Sequence, residues 1–201
     1  ELLVLDPYKH LLGRLDPSAG RIVSRESAAT RFARVYAVMQ DRDGDIWVST
    51  KGQGIYRLRP SGEGRFRTEH YTHSSVDPYS LSCDEVYHLF EDSRGRVWVA
   101  TYGGGLNLVR FQPDGSLRFL HARNELKSFP LRHYYKLRHV SEDSRGRIWV
   151  SSTVGALACD GSFSRPSDIR WTRCLDHCDV HMVDCLPGGG VFAATFGQGL
   201  Q

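Results

Sequence analysis

Short apolar stretches alternate with polar, glycine-containing turns along the chain, and one block shows the pattern clearly. Residues 86–109 read VYHLFEDSRGRVWVATYGGGLNLV. Apolar and β-branched runs of five or six residues bounded by such turns are typical of β-strands. The block and its continuation therefore predict four strands, which begin at Val86, Val97, Leu106 and Leu117. No segment has the 3.6-residue periodicity and caps of a helix, so we expect almost none.

The same block returns at a fixed spacing. Its tryptophan recurs as Trp47, Trp98 and Trp149, each 51 residues after the last, and Phe192 and Val4 take that position near the two ends. Units of four antiparallel strands with a period of about 40–50 residues are typical of propeller blades. A β-sandwich or an up-and-down barrel also contains many short strands. Neither predicts the return of one tryptophan strand with the same turns on both sides.

The sequence thus predicts an all-β fold, a β-propeller of about four four-stranded blades. The predicted divisions are a partial blade at 1–30, blades at 31–73, 82–123 and 135–175, and a partial blade at 179–201. Because the first and last units are incomplete, we expect a fragment of a larger propeller. An open arc exposes apolar flanks and unpaired strand edges. We therefore expect it to associate with other blades or with a second copy of itself.

Composition excludes several classes of function. The chain has 201 residues, of which 40% are hydrophobic and 24% charged, with a net charge of +3. This composition is that of a folded domain. Basic residues are scattered, which argues against a nucleic-acid partner, and no apolar run is long enough to cross a bilayer. Glycine-rich runs lie between strands rather than before helices, so we expect no nucleotide or other cofactor.

Candidate binding residues lie in the turns between the second and third strands, which share one face of a propeller. They are Lys51, Gln53, Tyr102, Thr153, Phe196 and Gln198. Aromatic rings that stack on sugars, together with polar groups that bind hydroxyls, suit a carbohydrate. The alternative is that Tyr102 and Phe196 only pack on neighbouring blades. The innermost strands also place near the channel the residues Tyr87, His88, Arg138, His139 and His181.

Acidic pairs precede the glycine of two regular blades, as Glu91-Asp92 and Glu142-Asp143. Catalytic acid pairs occur once in a site, whereas these recur beside each turn. We therefore interpret them as turn residues whose carboxylates accept backbone N–H groups, and we expect no catalytic residue among them.

A dense group of cysteine and histidine lies near the end of the chain. It comprises Cys174, His177, Cys178, His181 and Cys185. Such residues can hold zinc, although this spacing matches no familiar zinc pattern. A disulfide from Cys174 to Cys178, or one that reaches Cys185, is a second possibility, and simple thiols are a third. The sequence alone leaves all three open, and we expect no metal site.

The repeated motif resembles the two-component regulator propeller repeat. The matching residues are Glu91-Asp92, Gly95, Trp98-Val99, Thr101 and Gly105-Leu106, and the segment 77–82, Asp-Pro-Tyr-Ser-Leu-Ser, resembles the stretch that leads into such blades. The resemblance implies seven-bladed propellers in the periplasmic sensor region of hybrid histidine kinases, with oligosaccharide ligands. The chain departs from the full pattern, because it contains no transmembrane helix, kinase or receiver segment.

The sequence therefore favours a non-catalytic sensor module of an inner-membrane-anchored receptor that faces the periplasm and binds a small carbohydrate. A propeller enzyme, of the polysaccharide lyase or glycosidase type, is one alternative. It requires unique acid or histidine residues at the channel, and only His177 and His181 are unusual enough to qualify. A scaffold for protein–protein interactions is the other.

Overall fold

A computed structural model describes the chain at residues 2–5, 11–16, 21–25, 32, 34–62, 66–186 and 189–201, and the first three of these ranges are described as backbone. The strands are β1 (Leu2–Leu5), β2 (Leu11–Asp16), β3 (Arg21–Arg25), β4 (Val35–Gln40), β5 (Ile46–Thr50), β6 (Ile55–Pro60), β7 (Phe66–Tyr71), β8 (Val86–Glu91), β9 (Val97–Thr101), β10 (Gly105–Phe111), β11 (Leu117–Leu120), β12 (Leu137–Glu142), β13 (Arg147–Ser152), β14 (Gly155–Asp160), β15 (Thr172–Cys174), β16 (Val180–Cys185), β17 (Val191–Thr195) and β18 (Gly199–Leu200).

Each sheet is built from strands that are consecutive in sequence and pair antiparallel. The sheets are blade 1 (β1–β3), blade 2 (β4–β7), blade 3 (β8–β11), blade 4 (β12–β15) and blade 5 (β16–β18). Among the described residues, three sheets have four strands and the two end sheets have three. The predicted all-β propeller is confirmed, and the strands of blade 3 begin within a residue of their predicted starts.

Helix is nearly absent, as predicted. Within the described residues it is limited to one turn of 3₁₀ helix at Pro166–Asp168. Nowhere in this part of the chain is there a helix of the length and apolarity needed to cross a membrane.

The first strands of successive blades lie beside one another, β4 against β8, β8 against β12 and β12 against β16. They are therefore the innermost strands, next to the propeller axis. Side chains alternate between the two faces of each blade. In β9, Val97 and Val99 pack with Trp47 of blade 2, whereas Trp98 and Ala100 pack towards blade 4. The core thus consists of layers between blades, and each blade needs a neighbour on both sides.

Candidate functional site

The turns between the second and third strands define one end of the blades, which we call the upper face. One backbone hydrogen bond places the first residue of each turn. The N–H of Lys51, Tyr102, Thr153 and Phe196 donates to the carbonyl of the residue before its own inner strand, with N···O distances of 2.8, 2.7, 3.2 and 2.8 Å. These four predicted site residues therefore occupy equivalent positions in blades 2 to 5.

Each described inner strand also carries an irregularity at its second residue. In β4 the pairing passes from Val35 directly to Ala37, and β8, β12 and β16 skip the same position. The skipped residues are Tyr36, Tyr87, Arg138 and His181. A bulge redirects the side chain of the extra residue, and bulges are frequent beside binding sites. The fold thus presents three chemically different kinds of side chain at one structural position on the upper face.

Three tyrosines connect blades 2 and 3 across this face. The ring centroid of Tyr87 lies 4.4 Å from that of Tyr36 and 4.7 Å from that of Tyr102. Burial, followed by the hydrogen bond with Tyr36, raises the pKa of Tyr87 to about 12. The Lys136 ammonium lies 5.1 Å and the Arg138 guanidinium 5.9 Å from the Tyr102 ring centroid. Tyr102 therefore packs between neighbours and offers little free ring surface.

Blades 4 and 5 are joined on the same face by an ion pair. Arg138 donates from Nε and Nη2 to the two carboxylate oxygens of Asp179, both at 2.7 Å. This hydrogen-bonded carboxylate raises the pKa of Arg138. Beyond the pair, the rings of His181 and Phe196 are nearly parallel at 6.0 Å. Phe196 is 74% exposed, so its ring remains open to a ligand.

The other candidates lie at the two ends of the arc. Lys51 and Gln53 are exposed at the blade 2 end, where the Gln53 carbonyl contacts the His70 ring at 2.7 Å. Gln198 is exposed at the blade 5 end and accepts a hydrogen bond from the Cys178 thiol at 3.0 Å. The structure thus places all six predicted residues on one face but not in one pocket.

Sequence reasoning missed three groups that shape this face: the tyrosine at the bulge of blade 2, and the charged residues that precede two inner strands. They are Tyr36, Lys136 and Asp179. An alignment of the blades on their first strands, rather than on their tryptophan strands, identifies them.

Two histidines line the axis below this level. The rings of His88 and His139 lie 4.0 Å apart across the seam of blades 3 and 4. The Val140 N–H donates to His88 Nδ1 at 3.3 Å, whereas His139 Nδ1 is buried and has no hydrogen-bond partner among the residues that the structure describes. Burial, with the neighbouring His139, lowers the pKa of His88 to about 3, and burial also lowers the pKa of His139. Both rings are therefore neutral at pH 7, as packed rather than acid–base groups.

The acidic pairs act at the opposite end, where hairpins join the first and second strands; we call it the lower face. Asp92 Oδ1 accepts the N–H of Arg94 and Arg96, and Oδ2 accepts Trp98 Nε1–H at 2.8 Å and Arg96 Nε–H at 2.7 Å. Blades 2 and 4 repeat the carboxylate–indole bond through Asp41 and Asp143. The turn role predicted for these carboxylates is observed for Asp92 and Asp143, where it extends to the tryptophan. Glu91 and Glu142 instead accept N–H groups of the preceding blade.

The cysteine-rich stretch does not assemble into a centre. All five cysteines are free thiols, and no group of three potential metal ligands occurs among the described residues. Cys178 faces Gln198, and the Cys174 thiol lies 4.0 Å from the Thr172 carbonyl. His177 adopts a positive φ of 66° in an exposed turn. Of the three possibilities left by the sequence, the geometry agrees with simple thiols.

Residues 31–52 and 80–103 match the two component regulator propeller family. These two segments carry the sequence pattern of two-component regulator propeller repeats. A curated protein, Histidine kinase P4 of Formosa agariphila, is 35% identical over 78 residues, which are 37% of this chain and 5% of that protein.

Solved structures share the fold of these propeller repeats. The extracellular domain of a hybrid two component system from B. thetaiotaomicron has a TM-score of 0.63 and 18% identity, over 95% of this chain and 25% of that chain. A catalytically inactive virginiamycin B lyase from Staphylococcus aureus has a TM-score of 0.59 and 15% identity, over 96% of this chain and 61% of that chain. This chain thus spans a minor part of the first and less than two thirds of the second.

The second matched segment, 80–103, contains an inner strand, its lower hairpin and the following strand of a two-component regulator propeller repeat. It includes Asp92 and Trp98, which form the carboxylate–indole pair, and Tyr87 and Tyr102 of the upper face. The repeat thus supplies both the lower clamp that stabilises a blade and the upper position at which side chains vary.

Proposed function

We propose that this chain is the ligand-sensing part of the extracytoplasmic, periplasmic region of a hybrid two-component sensor histidine kinase. In this proposal it binds an oligosaccharide at the upper face and leaves it chemically unchanged. The match to two component regulator propellers carries the proposal. The similarity to Histidine kinase P4 supports it, as does the shared fold of an extracellular two-component domain.

The chemistry of the upper face suits a sugar. Phe196 offers an exposed ring, and Lys51, Gln53 and Gln198 are exposed polar groups along the same face. Apolar surface with a few placed polar groups is typical of small-molecule sites. The repeated carboxylates Asp92 and Asp143 are hydrogen-bonded to their own hairpins, which argues against a catalytic role for them.

A glycan array followed by calorimetry tests the proposal. We expect an oligosaccharide to bind without product formation, and Phe196→Ala to weaken it about tenfold. Pro113→Ala is the control, because Pro113 is exposed in the turn between β10 and β11, at the opposite end of blade 3 from the turns of the upper face. Release of a cleaved or eliminated product favours a propeller enzyme instead. Absence of both binding and turnover on a broad array favours a protein scaffold.

We also propose that the protein self-associates through the free flank of blade 5. Met182, Phe192 and Leu200 on that blade are 42%, 39% and 67% exposed. The counterpart of Phe192 in blade 3 is Trp98, which is fully buried against blade 4. The flank therefore has the apolar character of a surface that packs against a blade, and a second copy supplies one. Sedimentation analysis should show a dimer that Phe192→Asp dissociates; a monomer at high concentration contradicts it.

A further inference from the structure

Two lower hairpins of this chain have the same sequence. Residues 91–96 and 142–147 both read Glu-Asp-Ser-Arg-Gly-Arg. Their backbones also agree, because Gly95 and Gly146 have φ values of 78° and 76°. In each hairpin the aspartate accepts two backbone N–H groups of its own turn at 2.9–3.0 Å. The two hairpins therefore present the same donors to the blade that follows.

The first hairpin binds a carboxylate. Glu142, at the end of the inner strand of blade 4, accepts hydrogen bonds from Ser93 N–H at 2.6 Å and Ser93 Oγ–H at 2.7 Å, and Arg94 Nη1 lies 3.4 Å away. The preceding seam is built in the same way. There Glu91 accepts Arg42 N–H at 2.8 Å and Arg42 Nε–H at 2.7 Å. Two successive seams are thus closed by a glutamate from the following blade.

The second hairpin lacks this carboxylate. At the position of Glu142, blade 5 has Cys185. Within the part of the chain that the structure describes, neither the N–H nor the hydroxyl of Ser144, nor the Arg145 guanidinium, has a hydrogen-bond partner. A cleft of about 410 Å³ lies there instead, lined in part by Ser144, Gly146, Cys185 and Leu186.

Acids lie close to this cleft, because burial, and then Asp143 and Asp184, raise the pKa of the Cys185 thiol, so binding of an anion depends on the hairpin donors outweighing them. The Glu142 carboxylate is neutralised by Arg94, and Asp143 is paired with Arg147 at 2.6 Å. The first hairpin has the same flanking acids and still binds Glu142. Hydrogen bonds to a carboxylate are charge-assisted and are about twice as strong as those between neutral groups. Leu186, 51% exposed, adds an apolar wall.

We propose that this lower cleft between blades 4 and 5 binds a small carboxylate-bearing molecule. Its carboxylate takes the position that Glu142 occupies in the preceding seam, held by the N–H and hydroxyl of Ser144 and by Arg145. The body of the ligand lies against Leu186 and Cys185. The volume is within the range of small-molecule sites and exceeds what one carboxylate fills. The site lies at the opposite end of the blades from the upper face, and it is independent of the proposed sugar binding.

Titration of the ¹⁵N-labelled protein with sodium glutarate tests this site, because glutarate carries the carboxylate and methylene chain of a glutamate. We expect the Ser144 amide resonance to shift and saturate at millimolar concentration, while the Ser93 amide, already occupied by Glu142, does not move. Neutral glutaramide is the matched control and should leave both amides in place. An equal response to glutaramide, or none to 50 mM glutarate, overturns the proposal.

Variants separate binding from folding. Cys185→Glu supplies the missing carboxylate from within the chain, so it should shift the Ser144 amide without ligand and abolish the glutarate response. Cys185→Gln, of the same size but uncharged, should retain at least part of that response. Ser144→Ala removes one of the donors and should weaken glutarate binding several-fold in a folded protein. An unchanged glutarate response in both Cys185→Glu and Ser144→Ala contradicts the site.

Discussion

The carboxylate–indole clamp of blade 3 provides a stringent test of how these blades are stabilised. Asp92 is 1% exposed and accepts four hydrogen bonds, including one from the indole N–H of Trp98. Blade 5 lacks both partners: it has Leu186 at the aspartate position and Phe192 at the tryptophan position. Its hairpin keeps the same backbone bonds, with Leu186 N–H to the Gly190 carbonyl at 2.8 Å. The turn therefore forms without the clamp. Within the clamp, the buried carboxylate needs the indole N–H as a donor, and the indole N–H needs the carboxylate as an acceptor.

The magnitude follows from the groups left without partners. Asp92→Leu leaves the indole N–H, the Arg96 side chain and two backbone N–H groups without their acceptor, at a cost of about 4 kcal/mol. Trp98→Phe removes one of those donors and leaves a small cavity, at a cost of about 2 kcal/mol. In the double variant no indole N–H remains to be satisfied. We therefore expect it to cost about 1.5 kcal/mol less than the sum of the single changes.

Urea unfolding followed by far-ultraviolet circular dichroism at pH 7 measures this coupling, because tryptophan fluorescence itself changes in Trp98→Phe. Asp92→Asn is the matched control of equal size. It keeps one oxygen for the backbone N–H groups but turns an NH₂ towards the indole, and it should cost about 2–3 kcal/mol. Strictly additive single and double variants refute the reasoning, since they show that Asp92 and Trp98 act independently.

Three further predictions concern the seams and the thiols. Burial lowers the pKa of His88 to about 3, below its unfolded value of about 6.5, so the unfolded state binds more protons as the pH falls. The free energy of unfolding should therefore fall by about 2 kcal/mol from pH 6.5 to 5, and His139 should contribute in the same direction. The variant His88→Phe should show a weaker dependence of the free energy of unfolding on pH. Glu142→Gln should lower the free energy of unfolding by about 1 kcal/mol, because it weakens the charge-assisted bonds from Ser93; an unchanged urea midpoint contradicts this. Titration with a thiol reagent in denaturant, without reductant, should find five thiols, and fewer than five indicates a disulfide. In the native protein Cys159 should react last, because burial raises its pKa to about 12.

The fold could be predicted from the sequence because the regular blades repeat the same core and turn residues at the same positions. Trp47, Trp98 and Trp149 recur at one spacing, and the turn glycine and acidic residue recur with them. A repeat of this kind fixes strand order and turn position together, so local pattern and global architecture agree. The strand starts predicted for blade 3 were accurate to a residue for the same reason.

The site could be predicted only in part, since its contacts join residues far apart in sequence. The turn spacing placed Tyr102 on the upper face, but not the fact that Tyr87 and Lys136 cover its ring. Glu142 was recognised as a turn acid, yet its carboxylate serves Ser93 in the neighbouring blade rather than its own hairpin. Bonds of this kind follow from how blades are placed beside one another, which no strand pattern describes.

Repetition also separates structural positions from functional ones within this single chain. Where several blades need the same stabilising contact, the same residue recurs, as with Asp41, Asp92 and Asp143 in the carboxylate–indole clamp. The bulge has the same backbone position in all four described inner strands, yet the residues at it are two tyrosines, an arginine and a histidine. Backbone geometry therefore does not select those side chains. Their variety is the expected result when neighbouring blades contact different parts of one ligand, and it favours the upper face as the sensing surface.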